Sequence, residues 1–146
     1  LLESAYEIDS ICQNVRLFFV TSMFNTSAMK KILIVEDDIS IRELLVEIFE
    51  SEGYEVNSSQ NGSEGIKALE QGKPDVILMD ILMPVMDGYA FREEQIKKPE
   101  WNEIPVLAMS AQNQELEKLE AYGIKHFIQK PLELDHLLNQ VKQLSC

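Results

Sequence analysis

Met29-Lys30-Lys31-Ile32-Leu33-Ile34-Val35-Glu36-Asp37-Asp38 is the stretch on which the reading of this chain turns. Ile32 to Val35 is an unbroken apolar run rich in β-branched residues. A strand with one wet face alternates apolar and polar positions. A run without alternation belongs to a strand covered on both faces, as in a parallel sheet. The run stops at three consecutive acids, so whatever lies beyond the strand's carboxyl end is negatively charged.

Working outward, the same kind of run recurs between helical patterns. Ile41, Leu44, Leu45, Ile48 and Phe49 recur at helical spacing and predict one inward face, with Gly53 as the C-terminal stop. Tyr54 to Asn57 reads as a short second strand. Asn61-Gly62 reads as a turn and Ser63 as the N-cap of a helix that turns Ile66 and Leu69 inward and ends at Gly72. Val76 to Met79 is a third buried strand, ending at Asp80. A loop bearing Gly and Pro leads to a helix around Tyr89 to Lys97. Ile104 to Met109 is the fourth strand, ending at Ser110. A helix around Glu115 to Tyr122 stops at Gly123, and Lys125 to Gln129 is the fifth strand. Leu134, Leu137, Leu138, Val141 and Leu144 line the last helix. Five βα units with short connections predict an α/β, doubly wound, five-stranded parallel sheet with five helices.

The 146 residues are 45% apolar, enough for one domain with a sizeable core. A net charge of −12 argues against direct nucleic-acid binding, which draws on Lys and Arg. No run approaches the roughly 18 apolar residues of a membrane span, so no membrane insertion is expected. The two cysteines, Cys12 and Cys146, lie outside the periodic region and read as free thiols in a reducing compartment, which points to the cytoplasm.

Residues 1–28 form an N-terminal extension without clear period, ahead of one periodic α/β domain over 29–146. Three readings of the extension stand. Translation starts at Met29 and the upstream residues are an artefact, or the extension is genuine, with a short helix around Ile8 to Phe19, or it is a signal peptide. Glu3, Glu7 and Asp9 give the wrong charge for the last.

In a parallel α/β sheet, ligands sit beyond the carboxyl ends of the strands. Glu36, Asp37 and Asp38 follow the first strand, Asp80 the third, Ser110 the fourth, and Lys130-Pro131 the fifth. Converging carboxylates repel unless a cation is present. Mg²⁺ suits a few carboxylates together with waters and a phosphate. Lys130 can hold a phosphoryl oxygen and Ser110 can donate to another. A carboxylate so placed is equipped to attack phosphorus and form an acyl phosphate. Each residue also has a plain structural role. The acids can cap a helix, an Asp can end a strand in a turn, Ser110-Ala111 can cap, and Lys130-Pro131 can be an exposed turn. Their coincidence at the ends of different strands is what favours chemistry.

Ile32 to Asp38, Met79-Asp80-Ile81-Leu82-Met83-Pro84-Val85-Met86-Asp87-Gly88, Ser110-Ala111 and Phe127-Ile128-Gln129-Lys130-Pro131 together resemble the signature blocks of response-regulator receiver domains of two-component systems, of the stand-alone chemotaxis type. The likeness runs from Lys30 to about Leu144. It implies a flavodoxin-like sheet of order 2-1-3-4-5. It further implies that Asp80 is the phosphoacceptor and that Asp37 binds Mg²⁺ directly, Glu36 through water and Leu82 through its carbonyl. Lys130 matches the lysine on the phosphoryl group, ahead of a cis bond to Pro131. Ser110 and Phe127 match the switch pair, and Leu82 and Gln112 the positions that tune the phosphorylated lifetime. The implied partners are a sensor histidine kinase or histidine phosphotransfer protein and a downstream protein target. With no output domain expected after Leu144, the signal is expected to leave by protein contact or by phosphorelay. A receiver detached from a hybrid kinase is also open, residues 1–28 then being a linker.

Asp38 reads as a helix cap rather than a ligand, and Asp87-Gly88 as a turn. Ser at 110 keeps the hydroxyl where Thr is commoner, and Phe at 127 lacks the hydroxyl of the frequent Tyr. The Ser110 to Lys130 stretch is slightly short for the family, which bears on the fourth helix. Other classes fit less well. A haloacid-dehalogenase-type phosphatase wants an acid at position 82, which is Leu. A flavin carrier wants a phosphate loop where Glu36-Asp37-Asp38 would repel phosphate. A binding-only receiver usually lacks an acid or the lysine. His126 and His136 lack partners at metal spacing. Trp101 and the methionines 79, 83, 86 and 109 read as packing.

Overall fold

The computed structural model describes residues 28–111 and 116–146. Among these, β1 (Lys31–Val35), β2 (Glu55–Ser59), β3 (Val76–Asp80), β4 (Val106–Ser110) and β5 (His126–Gln129) alternate with α1 (Ile39–Ser51), α2 (Gly62–Gln71), α3 (Gly88–Ile96), α4 (Leu116–Ala121) and α5 (Leu134–Leu144). The strands pair in parallel in the order β2-β1-β3-β4-β5. The expected doubly wound sheet is therefore the observed one. The N-terminal extension, Cys12, Gln112 and the predicted start of the fourth helix at Glu115 lie outside the described residues.

The absence of alternation in the central strands has a direct cause. Successive side chains of a strand point to opposite faces, and here both faces are covered. Leu33, Val35, Ile77 and Met79 pack on one side with Ala68 and Leu69 of α2, Phe91 of α3 and Leu119 of α4. Ile32, Ile34, Val76 and Leu78 pack on the other with Leu45 and Phe49 of α1 and Leu137 and Val141 of α5. Fully burying a side chain such as Phe49 or Leu107 contributes roughly 1.5–3 kcal/mol. Trp101 is buried in the first of these layers, and Met79 and Met109 are core residues, as expected of packing side chains.

Several local expectations need correction. Ser63 does not cap α2; the Asn61 side chain accepts from the Glu64 amide at 3.0 Å, and Gly62 is the first helical residue. The helix starts there because Gly62 sits against the next loop, its amide donating to the Met86 carbonyl at 3.0 Å. A Cβ at position 62 would lie 2.7 Å from that carbonyl oxygen. Asp87 is not merely a turn residue, since its side chain accepts from the Ala90 amide at 2.8 Å and caps α3. Leu44 is 56% exposed rather than inward, because Leu45 and Phe49 already occupy the buried stripe of α1. Leu134, in the first turn of α5, is likewise exposed. Ile104 precedes β4 rather than opening it, its amide turning back to the Trp101 carbonyl. Asp38 caps α1 as expected, accepting from the Ile41 amide at 3.0 Å. Gly53 ends it at φ +87°, a conformation that costs a side-chain-bearing residue more.

The order places the reversal of winding between β1 and β3. The chain leaves β1 toward β2, then crosses back to β3, which opens a crevice at the carboxyl ends of these two strands.

Candidate functional site

That crevice gathers the acids. β1 runs directly into Glu36, whose amide still pairs with the Ser59 carbonyl at 3.0 Å, so its side chain stays under the sheet edge and is 1% exposed. Asp37, the next residue, is exposed. β3 delivers Asp80, 7% exposed, and one carboxylate oxygen from each of Glu36, Asp37 and Asp80 falls within 4.8 Å of the others.

The fifth strand supplies the counter-charge. The Lys130 Nζ lies 3.3 Å from Asp80 Oδ2, donating a hydrogen bond, and 3.5 Å from Glu36 Oε2. Lys130 precedes a cis bond to Pro131, as the resemblance implied. Its amide donates to the Ser110 carbonyl at 2.8 Å, which ties the end of β5 to the end of β4. Ser110 itself is buried at the end of β4, one residue beyond Met109, the register partner of Asp80. Phe127 lies on β5 opposite Ala108 and is 38% exposed. The Leu82 side chain points to solvent, while its backbone N–H supports the Asp80 carboxylate. His126 and His136 are exposed and away from this cluster.

Negative charge outweighs positive charge in this cluster. Burial, then the charge of Asp80, pushes Glu36 up to about 7. Burial also raises Asp80, against the opposing pull of Lys130. Burial draws the Lys130 ammonium down, but Asp80 and Glu36 outweigh it and hold it above its ordinary range. One ammonium thus faces two of the three clustered carboxylates, leaving two negative charges in the group when all are ionised. Glu36 Oε2 is buried without a hydrogen bond. A buried carboxylate oxygen that has the Lys130 ammonium at 3.5 Å but no close hydrogen bond, and that faces two further acids, fits a small divalent cation with oxygen ligands.

One contributor was missed from the sequence. Arg42, in the first turn of α1, donates from Nη1 to the Glu36 carbonyl at 2.7 Å and reaches the Asp37 carbonyl at 3.3 Å. The available signal was a basic residue where helices favour acids.

Comparison with known proteins agrees with the geometry. The response regulator receiver domain matches residues 32–142, most of the chain. The chain belongs to this family. Protein PilH of Pseudomonas aeruginosa is 33% identical over 115 residues, spanning 77% of this chain and 95% of PilH. Chemotaxis protein CheY of Listeria monocytogenes is 33% identical over 117 residues, spanning 79% of this chain and 98% of CheY. Among solved structures, the response regulator TrrA of Thermotoga maritima in complex with Mg²⁺-BeF is similar, with a TM-score of 0.71 and 33% identity over 80% of this chain and 99% of TrrA. Receiver domains are phosphoacceptor signalling switches that work with histidine kinases and downstream targets. No helix of this receiver domain is long and apolar enough to cross a membrane, among the described residues.

Proposed function

We propose that this receiver domain takes a phosphoryl group from a phosphohistidine onto Asp80, holds it for a time, and signals through protein contact or by passing it on. The observation that carries this reading is the placement of Asp80: an acid at a strand end, 3.3 Å from the Lys130 ammonium and grouped with Glu36 and Asp37.

An Asp80 carboxylate oxygen attacks phosphorus, the nitrogen–phosphorus bond of the donor breaks with its electron pair passing to nitrogen, and the ring, protonated on its other nitrogen, leaves as neutral imidazole. Lys130 holds one phosphoryl oxygen as charge shifts, and the Ser110 hydroxyl donates to another. Both groups sit on strand ends tied together through the Lys130 amide and the Ser110 carbonyl, and in this reading the Ser110 hydroxyl moves toward the phosphoryl group once it is in place. Glu36, Asp37, Asp80 and the Leu82 carbonyl would hold Mg²⁺, Glu36 through water, and the bound ion would neutralise charge on the transferring group. Lys130 then exchanges a carboxylate partner for a phosphoryl oxygen. Ser110 and Phe127 relay that change toward α4, β5 and α5, because they lie on the neighbouring strands β4 and β5. Water later attacks phosphorus, releases inorganic phosphate and restores the Asp80 carboxylate.

A sensor histidine kinase or histidine phosphotransfer protein would be the donor, and a protein target the reader. The acidic surface gives no footing for nucleic acid. Incubation with Mg²⁺ and acetyl phosphate should add one phosphoryl group by intact mass, and Asp80→Asn should add none. Folded, Mg²⁺-loaded wild type without an adduct from either acetyl phosphate or a phosphohistidine donor would overturn the reading.

A further inference from the structure

Arg42 breaks a local rule. It stands in the fourth position of α1, where the positive end of the helix dipole disfavours a cation, and no acid shares that first turn. Among the described residues, its guanidinium has no carboxylate at ion-pairing distance. Its hydrogen bonds go instead to two backbone carbonyls, Glu36 at 2.7 Å and Asp37 at 3.3 Å. A residue placed against its local preference marks a requirement set elsewhere.

The requirement is visible in the loop it holds. Beyond Val35 the chain leaves the sheet, and the carbonyls of Glu36 and Asp37 have no strand partner. The loop is tied from three other sides. The Glu36 amide bonds to Ser59, the Asp38 amide donates to Glu36 Oε1 at 3.1 Å, and Asp38 caps Ile41. Arg42 closes the remaining side. Its partners are the peptide units whose side chains supply two of the three clustered acids.

We infer that Arg42 is a positioning residue for the metal-binding acids. By fixing the Glu36–Asp37 backbone from outside the cluster, it presents both carboxylates to a divalent cation before the cation arrives. The inference rests on the Mg²⁺ reading above. Its effect belongs in metal affinity rather than in the transfer step, since the guanidinium touches no reacting atom.

The test uses the full chain and the variants Arg42→Met, which removes charge and donor, and Arg42→Gln, which removes charge but keeps a donor. Mg²⁺ affinity is read by calorimetry, and amide exchange of Asp37 and Asp38 is read in the metal-free state. Labelling by acetyl phosphate is read at saturating Mg²⁺. Arg42→Met should weaken Mg²⁺ binding about tenfold, in the range found when outer partners of metal ligands are removed. It should also speed exchange of the two amides and leave saturated labelling close to wild type, while Arg42→Gln recovers most of the affinity. Wild-type or tighter Mg²⁺ binding by Arg42→Met would overturn the inference, because charge repulsion alone would then describe Arg42. A wild type that takes up no Mg²⁺ would sink the functional reading instead. The metal-free exchange would in that case still decide whether Arg42 holds the loop.

Discussion

The two ends of the site are built differently. On the β1 side, a strand with four consecutive buried residues runs into buried Glu36, and the 13-residue, capped α1 packs Leu45 and Phe49 beneath it. On the β5 side, a four-residue strand buries only Ile128. The end that gathers acids is held by core and by hydrogen bonds. The end that carries Lys130 and Phe127 is thinly held. A charge trap benefits from rigidity, because ligands must be in place beforehand, whereas a relay needs an element with a second accessible arrangement.

The widest separation should come from the core. Phe49→Ala, beneath the β1 end, should cost about 3–5 kcal/mol in urea unfolding. A loss below about 1 kcal/mol would remove the contrast. Next comes the chemistry. Lys130→Ala should lower acetyl phosphate labelling at saturating Mg²⁺ on the order of 100-fold, like loss of other charge-stabilising donors, while Mg²⁺ still binds. Labelling near the wild-type rate would move Lys130 out of the mechanism.

Acidity sharpens the contrast further. Glu36 rises from 4.5 to about 7 on folding, so the folded state holds its proton more tightly than the unfolded chain. The stability this gives is complete below about pH 4.5 and is lost as pH rises through about 7; the raised Asp80 acts in the same direction. In EDTA, wild type should therefore lose about 2–3 kcal/mol relative to Glu36→Gln between these limits. Mg²⁺ should restore stability at the upper pH and do little at the lower. Parallel pH curves for the two proteins would contradict this.

The smallest effect belongs to the relay. Phe127 is 38% exposed, so Phe127→Ala should change stability by less than about 1 kcal/mol and leave labelling close to wild type. A large loss of either would mean that the β5 end is as firmly built as the β1 end.

Much of this was legible in the chain because a strand buried on both faces writes itself as an apolar run, and the residue after the run must lie at the sheet edge. Glu36, Asp37 and Asp80 stand out in the sequence that way, from position rather than from any local property. Local choices among similar polar residues were not decided so. Asn61 and Ser63 are both good caps, and only the approach of Met86 to Gly62 selects Asn61. Leu44 and Leu45 are chemically alike, and the helix can bury only one of them deeply. Arg42 left only the faint mark of a basic residue in a first helical turn, because its partners are carbonyls, which carry no side-chain signature.

The outer edge of the sheet has a consequence for behaviour at high concentration. β2 is a terminal strand, and its pattern of Glu55, Asn57 and Ser58 faces water, with Glu55 paired to Lys31 at 3.6 Å. A rim of short, polar and charged residues offers a poor template for a strand from another molecule. Crowded solutions of the folded domain should therefore not grow by strand pairing at the β2 edge.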